Sequence, residues 1–239
     1  MFAENKDNHF FLSISIIIAM GVLGHFIGKA VIQFKQFDRT VTVKGLSERE
    51  YPADIVIWPI QFTAAGNNLD AIYNELETNS ATIRNFLTRA GIQSDEITIS
   101  TPSIVDKSAQ QYGNEPQYGF RFVASQIVTV YSKNIGNVRQ VMGRLSELGK
   151  QGIVLTGENY ATQTEYLFTR LNEVKPEMIE EATKKAREVA EKFARDSQSK
   201  LGKIKTASQG QFSISSRDKN NPHIKKIRVV STVTYYLSD

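Results

Sequence analysis

Three carboxylates of this chain are candidates for general acid–base chemistry, namely Asp54, Asp106 and Glu158. A hydrolase of this kind needs two acidic groups facing one cleft, about 5–9 Å apart. Their spacing along the chain does not bring any two of them together. A carboxylate-dependent hydrolase or transferase is therefore retained as an alternative function, and no catalytic pair is assigned.

The histidine and cysteine content excludes most other site chemistry. The chain has no cysteine, which removes disulfides, thiolate nucleophiles and cysteine metal ligands. Its histidines are His9, His25 and His223, and only the last lies in the polar part of the chain. A zinc site or a Ser–His pair is therefore not expected there. We expect no catalytic residues, no metal and no cofactor, and a protein that is not an enzyme.

A basic segment near the C-terminus is the best candidate for an interaction surface. It sits in and after the polar loop SSRDKNNPHIK, and its members are Arg217, Lys219, Lys225, Lys226 and Arg228. Tyr112, in the polar loop DKSAQQYGNEPQ, is added as an exposed aromatic residue. The segment suits a solvated hairpin tip or a contact with an anionic partner. The loop has no aromatic residue on which bases would stack, and the net charge is only +4, so nucleic acid is not expected.

The elements that position these residues begin with an apolar run, Phe10 to Gly28, which contains no charged residue. At 1.5 Å per helical residue this run reaches roughly 28 Å, close to the thickness of a hydrocarbon core. We interpret residues 1–9 as a leader and 10–34 as a transmembrane anchor. The leader is not basic and no Ala-x-Ala site follows, which favours an anchor over a cleaved signal. A buried helix of a soluble domain is the third alternative.

The charges that flank this run bear on topology. Lys29, Lys35 and Arg39 outnumber Lys6, which by the positive-inside bias favours a cytoplasmic domain. That bias is weak for a long translocated domain. The flanking charges alone therefore do not decide the side of the membrane.

The polar part of the chain, residues 40–239, reads as one α+β domain. Strand, helix, strand and strand follow one another in about 54–131 and again in about 153–237, which predicts two units with largely antiparallel sheets. The first strand is expected to end at Gly45, before a polar turn. Pro59 predicts a sheet edge or a bulge, and Pro176 is expected to open the longest helix of the domain.

Several segments carry a resemblance to a known family. They are the V-x-V-x-G run at 41–45 with Pro52 and Asp54, the strand YGFRFVASQIVTV at 118–130, the Ala-rich EATKKAREVA at 181–190 and LGK at 201–203. In this order they resemble the landmarks of SIMPL-domain proteins. The resemblance covers nearly all of residues 40–239. It implies exported bacterial proteins of the periplasm or envelope, some linked to oxidative-stress defence and some forming homo-oligomers, with no established catalytic residues.

Together these observations predict a single-pass protein of the bacterial inner membrane, with its SIMPL-like domain in the periplasm or outside. We expect it to act without catalysis, by self-association or by binding a partner, in envelope or oxidative-stress defence. The expected partners are the lipid bilayer, through residues 10–34, a second copy of the chain and an anionic envelope component. A small-ligand carrier with an apolar cavity between helices and sheet is the first alternative, and the carboxylate hydrolase is the second.

Overall fold

The computed structural model describes residues 4–36, 39–109, 119–157 and 162–238. Its helices are α1 (Glu4–Gln36), α2 (Leu69–Arg89), α3 (Ile135–Met142), α4 (Ser146–Lys150) and α5 (Leu171–Asp196). Its strands are β1 (Thr40–Pro52), β2 (Ile55–Gly66), β3 (Ile97–Ile99), β4 (Ser103–Asp106), β5 (Phe122–Ser132), β6 (Val154–Leu155), β7 (Glu165–Leu167), β8 (Lys200–Gln209), β9 (Ser213–Ser216) and β10 (Ile224–Ser238).

The strands form two sheets. One has the order β1-β10-β8, with β9 also paired to β10, and the other has the order β3-β5-β2-β6, with β4 on β5 and β7 on β2. The described strand pairs of the second sheet are antiparallel, and β8 pairs antiparallel with β10 in the first. The α+β class with an N-terminal apolar helix and antiparallel sheets is therefore confirmed.

The chain separates into two compact units. The first comprises residues 1–48, 175–212 and 228–239, and the second comprises 49–174 and 213–227. The two-unit repeat predicted from the order of elements divides the chain differently, at about 54–131 and 153–237, and remains a prediction.

The first unit is built by packing α5 on its sheet. The buried face of α5 is a stripe at i,i+4 spacing that consists of Met178, Ala182, Ala186, Ala190 and Ala194. Two of these alanines form a core with Val43, Val233 and Tyr235. Because alanine projects only a methyl group, the backbone of α5 lies close to the strands.

The prediction that the first strand ends at Gly45 is wrong. Strand β1 continues to Pro52, and the alternation of buried and exposed positions extends through Ser47, which is fully buried. Gly45 is used for close packing against α5 and not for a chain reversal, since a Cβ atom at this position would overlap the Ala182 carbonyl.

The core of the second unit lies between α2 and the sheet centred on β2 and β5. Asn68 caps α2, with its side-chain oxygen accepting from the amide of Ala71 at 3.1 Å. The buried face of α2 includes Ile72, Leu76, Ile83 and Leu87. The only tryptophan of the chain, Trp58, is 5% exposed in the same core.

Pro59 lies in an inner strand, and not at the edge or bulge that the sequence predicted. One side of β2 pairs with β5, and the other pairs with β7 at Ile55–Ile57 and with β6 at Phe62–Thr63. The Gln61 carbonyl accepts from Thr156 on the β6 side, and residues two apart in a strand point to the same side. The missing N–H of Pro59 therefore faces the stretch between β7 and β6, where no ladder bond is formed among the described residues.

Two other boundaries differ from expectation. Helix α5 begins at Leu171, so Pro176 lies inside it and removes one backbone hydrogen bond without ending the helix. In the first predicted repeat, the strand that follows the helix is divided into β3 and β4, and both parts pair with β5.

Candidate functional site

The predicted basic segment is held by a compact turn between β9 and β10. The amide of Arg217 donates to the Ile224 carbonyl at 2.8 Å and closes the loop. Inside it, the Asp218 carboxylate accepts from the amides of Asn220 and Asn221 at 2.9 and 2.8 Å. The loop is therefore organised by its own polar side chain and presents a defined surface.

Much of the predicted positive charge is matched by nearby carboxylates. The Arg217 guanidinium donates to Asp218 at 2.8 Å and lies 3.7 Å from Glu50. The hydrogen bond from Arg217 is the main reason that the pKa of Asp218 is lowered, and Asp218 in turn raises the pKa of Arg217. In the first unit, Arg228 pairs with Glu48 at 3.9 Å. These partly exposed pairs add little stability, but they reduce the field of the surface.

The remaining predicted residues have separate surroundings. Lys225 donates to the Ser216 hydroxyl at 3.1 Å, and burial lowers its pKa. Lys226 precedes Arg228 in β10 and is half-buried. Lys219 is exposed beside the cavity described next. Tyr112 lies outside the described residues.

A cavity of about 660 Å³ lies in the second unit beside this loop. Its lining is mixed, with apolar Met142, Tyr166 and Pro222 and polar Gln163, Thr164, Ser216, Asp218 and Lys219. The carrier alternative expected an apolar cavity between helices and sheet, whereas this cavity has charged and hydroxyl groups in its wall. It suits a small ligand that offers both an apolar body and hydrogen-bonding groups.

His223 lies behind this wall and was placed by the sequence only in a late loop. Its Nε2 atom is 3.1 Å from Nη1 of Arg139, and its ring centroid is 6.0 Å from that of Tyr166. Burial lowers its pKa, and the neighbouring Arg139 and Arg217 lower it further. Because arginine only donates, Nε2 accepts and the proton resides on Nδ1. Nδ1 is buried, with no hydrogen-bond partner in the described part of the chain.

The two candidate carboxylates that the structure describes, Asp54 and Asp106, do not form a catalytic pair. Asp54 accepts from the amide and hydroxyl of Thr169 and from Arg170, at 3.0–3.2 Å. Burial raises the pKa of Asp54, and these hydrogen bonds outweigh that effect, so the pKa is lowered.

Asp106 is held at the opposite end of the sheet. It accepts from Arg121 at 2.8 Å and from the Ser108 hydroxyl at 2.6 Å, and these bonds lower its pKa. Asp106 pairs with Phe122, which pairs with Gly66 at the end of β2, whereas Asp54 precedes the start of β2. At about 3.3 Å per residue the two carboxylates are separated by more than about 30 Å. Glu158 lies outside the described residues.

Helix α1 has the dimensions of a membrane span. Residues Leu12–Val31 have a mean hydropathy of 1.9, and none of that stretch is buried. The alternative of a buried helix in a soluble domain is therefore wrong. A membrane span and an N-terminal signal sequence both fit the length and position of this helix.

The family comparison assigns the folded part of the chain. Residues 41–235 match the model of SIMPL, described as a protein of unknown function (DUF541). The chain belongs to the SIMPL family. The resemblance seen in the sequence is thereby confirmed. A comparison with curated proteins found no match.

The SIMPL landmarks occupy defined positions in the fold. The V-x-V-x-G run at 41–45 lies on β1, and the Ala-rich segment 181–190 lies on α5, so these two landmarks pack against each other in the first unit. LGK at 201–203 lies on β8. The described part of the segment at 118–130 contributes to β5, the central partner of β2. These landmarks therefore contribute to the cores, whereas the cavity and the basic segment are formed by other residues.

Proposed function

We propose that this SIMPL-domain protein is tethered to the bacterial inner membrane by α1 and acts, without catalysis of its own, by self-association or by binding a partner in the envelope. The exposed apolar stretch Leu12–Val31 is the observation that carries the tether. A continuous apolar surface of this size is unfavourable in water, and a bilayer of matching thickness covers it.

The topology within the proposal places the folded domain in the periplasm. The family resemblance favours export, and a domain of this size is translocated despite the few basic residues that follow α1. Protease added to intact cells, osmotically shocked cells and spheroplasts tests it. Degradation that starts only when the outer barrier is opened supports the proposal, whereas protection in spheroplasts contradicts it.

The fate of α1 is measured in the same preparations. An uncleaved tether predicts that the chain stays with the membrane after a carbonate wash and that its N-terminal peptide is found by mass spectrometry. A protein released by the wash, with its N-terminus beyond residue 28, indicates a cleaved signal and contradicts the tether.

Self-association is supported by an edge of the first unit's sheet. Strand β8 ends the order β1-β10-β8 among the described strands, and nine of its ten residues are exposed. Such edges offer backbone groups for pairing with another chain. Light scattering of the detergent-solubilised chain is expected to give more than the mass of one copy. Ile204→Lys on β8 is expected to lower that mass, and the control Ile214→Lys on β9, whose side chain is exposed to a similar extent, is not. A strict monomer at micromolar concentration, with no co-purifying partner, counts against the proposal.

A role in envelope or oxidative-stress defence follows from the family resemblance. A deletion strain is expected to survive peroxide less well than its parent, and the full-length chain is expected to restore survival. A form without residues 1–36 is expected to restore it poorly, because the tether sets the location and local concentration of the domain. Equal survival of deletion strain and parent removes this part of the proposal.

A small-ligand carrier is the second candidate, and the cavity of about 660 Å³ favours it. A thermal-shift screen of envelope metabolites is the test. Stabilisation by a ligand is expected to weaken in Lys219→Ala, because Lys219 lines the cavity, and to persist in the control Lys133→Ala. A screen without any stabilising ligand counts against a carrier.

A further inference from the structure

We propose that one end of the first unit rests on the anionic lipid headgroups of the membrane that α1 enters. This juxtamembrane surface consists of Arg39, Phe193, Lys200, Lys203, Lys205 and Tyr236. The inference rests on the proposed tether and adds a second, electrostatic contact to it. It also differs from the sequence expectation, which placed contact with an anionic partner at the basic segment around Arg217.

Backbone hydrogen bonds bring the elements of this surface together. The amide of Leu237 donates to the carbonyl of Arg39 at 2.8 Å, and the Arg39 guanidinium donates to the Ser199 hydroxyl at 3.2 Å. In the register of β10 and β8, Leu237 lies opposite Leu201. The start of β1, the start of β8 and the end of β10 therefore meet at one end of the sheet.

The charge of this end is positive. The run KLGKIK at 200–205 contains three lysines and no acidic residue, and all three lysines are exposed. Arg39 adds a fourth cation, while the acids next to these segments in the sequence are Asp196, at the end of α5, and Asp239, which follows β10. Basic residues next to a membrane span are attracted to anionic lipid within about a Debye length of the surface.

Two aromatic side chains accompany these cations. Phe193, in the last turn of α5, is 54% exposed, and Tyr236 is 38% exposed. The ammonium group of Lys205 lies 5.4 Å from the ring centroid of Tyr236. Aromatic residues are favoured at the level of the headgroups, where an apolar ring is covered and a polar tip stays wet.

Chain length brings this surface, and not Arg228, within reach of the membrane. From Val31 the chain runs five helical positions to Gln36 and three more to Arg39, which spans at most about 18 Å. Arg228, by contrast, pairs with Glu48, nine residues along β1 from Arg39 and about 30 Å away. The lipid contact is therefore assigned to the end at Arg39.

The absence of cysteine allows a direct test with single labels in the full chain. A fluorophore on Ser238→Cys reports on the juxtamembrane surface, and one on Leu46→Cys, farther along β1, is the control reporter. The chain is reconstituted in nanodiscs of phosphatidylcholine, with or without phosphatidylglycerol, that carry a headgroup quencher. At low salt, quenching at residue 238 is expected to rise at least about threefold with phosphatidylglycerol, and quenching at residue 46 is not.

Charge variants separate a lipid contact from simple proximity. Replacing Lys200, Lys203 and Lys205 by Gln is expected to reduce quenching to the phosphatidylcholine level. The control replaces Lys44, Lys175 and Lys184, which removes the same charge elsewhere in the first unit and is expected to change little. Near 1 M salt the difference between the lipids should disappear, since the Debye length falls to about 3 Å.

The outcomes distinguish this inference from the tether on which it rests. A chain that fails to enter the nanodiscs overturns both. A chain that inserts but shows equal quenching with both lipids, or equal loss in both triple variants, overturns the lipid contact and leaves the tether standing.

Discussion

Gly45 lies directly against the backbone of Ala182, so closely that a Cβ atom on residue 45 would overlap the Ala182 carbonyl and crowd the amide of Ala186. This contact joins β1 to α5, which carry two of the SIMPL landmarks. The atoms that the added Cβ would meet belong to the helix backbone, which cannot move aside as the end of a flexible side chain can. The distance between strand and helix is therefore set by the absence of a side chain at one position and by methyl groups at the facing positions.

Gly45→Ala is expected to lower the free energy of unfolding by about 2–3 kcal/mol, because the helix must shift away from the strand. Circular dichroism during urea unfolding of the detergent-solubilised chain measures it. Gly149→Ala is the control, since it lies in α4 with no atom within 4 Å of the added methyl group. That change should be neutral or stabilising, by up to about 1 kcal/mol. Equal stability of wild type and Gly45→Ala contradicts the packing argument.

Gly91 follows the end of α2 with a φ of +87°, a left-handed conformation that side chains disfavour. Gly91→Ala is expected to lower the free energy of unfolding by about 1–2 kcal/mol. Gly91→Asn should lose less, since asparagine tolerates this conformation better than alanine. The fluorescence of Trp58, buried in the same unit, reports the unfolding. A larger loss of stability in Gly91→Asn than in Gly91→Ala would indicate steric crowding and contradict a cause in the left-handed backbone conformation.

Asp54→Asn is expected to lower the free energy of unfolding at pH 7 by about 2 kcal/mol, because its carboxylate accepts three kinds of donor from Thr169 and Arg170. The pKa of Asp54 is lowered in the folded state. Its stabilisation is therefore complete above the unfolded pKa near 4 and is lost as the pH falls through the folded value.

Urea unfolding followed by Trp58 fluorescence at pH 7, 5 and 3 tests the sign. The difference between wild type and Asp54→Asn should be constant between pH 7 and 5 and shrink towards pH 3. Glu77→Gln, on the exposed face of α2, is the control and should change little at any of these values. A difference that grows on acidification rules out the proposed pKa direction.

His223 is expected to make the chain less stable between about pH 7 and pH 5. Burial and the nearby Arg139 lower its pKa in the folded state, so the unfolded chain binds its proton first as the pH falls. Stability contributed by the neutral imidazole is therefore present above the unfolded pKa near 6.5 and is lost as the pH drops towards the folded value.

His223→Gln keeps an acceptor for Arg139 and removes the titration. Its unfolding midpoint should depend less on pH than that of the wild type across this range, and the two should converge in acid. Since His9 and His25 are present in both chains, their contributions cancel. Parallel pH profiles for the two proteins would show that His223 does not titrate as proposed.

Periodicity predicted those elements whose residues are chosen by local rules. Asn68 caps α2 and Gly91 follows its end, and these residue types favour those positions because capping depends on neighbours within one turn. The boundaries that failed depend on distant partners. Gly45 and Pro59 read as breaks in the sequence, yet each is accommodated inside a strand by what lies beside it, a helix backbone in one case and a gap between two short strands in the other.

The candidate site shows the same limit. The sequence identified each residue of the basic segment. Its net positive charge also depends on ion pairs with Glu48 and Glu50, which lie far upstream in the chain. His223 and Arg139 are 84 positions apart, so their contact has no local signal. The sequence named Asp54 and Asp106 as candidate carboxylates without indicating whether they are close, and the strand register places them at opposite ends of β2.

By itself, the sequence determined that the chain has an apolar helix long enough for a bilayer, an α+β domain and the SIMPL landmarks in order. These properties follow from composition and spacing along the chain, which are local. Only the tertiary structure decided that Gly45 is a contact surface, that Asp54 and Asp106 are far apart and that the lysines at the start of β8 lie at the same end of the sheet as the start of β1. These properties depend on which strands pair and in which register. Pairing is decided by contacts between residues that are far apart in the sequence, so no local pattern predicts it.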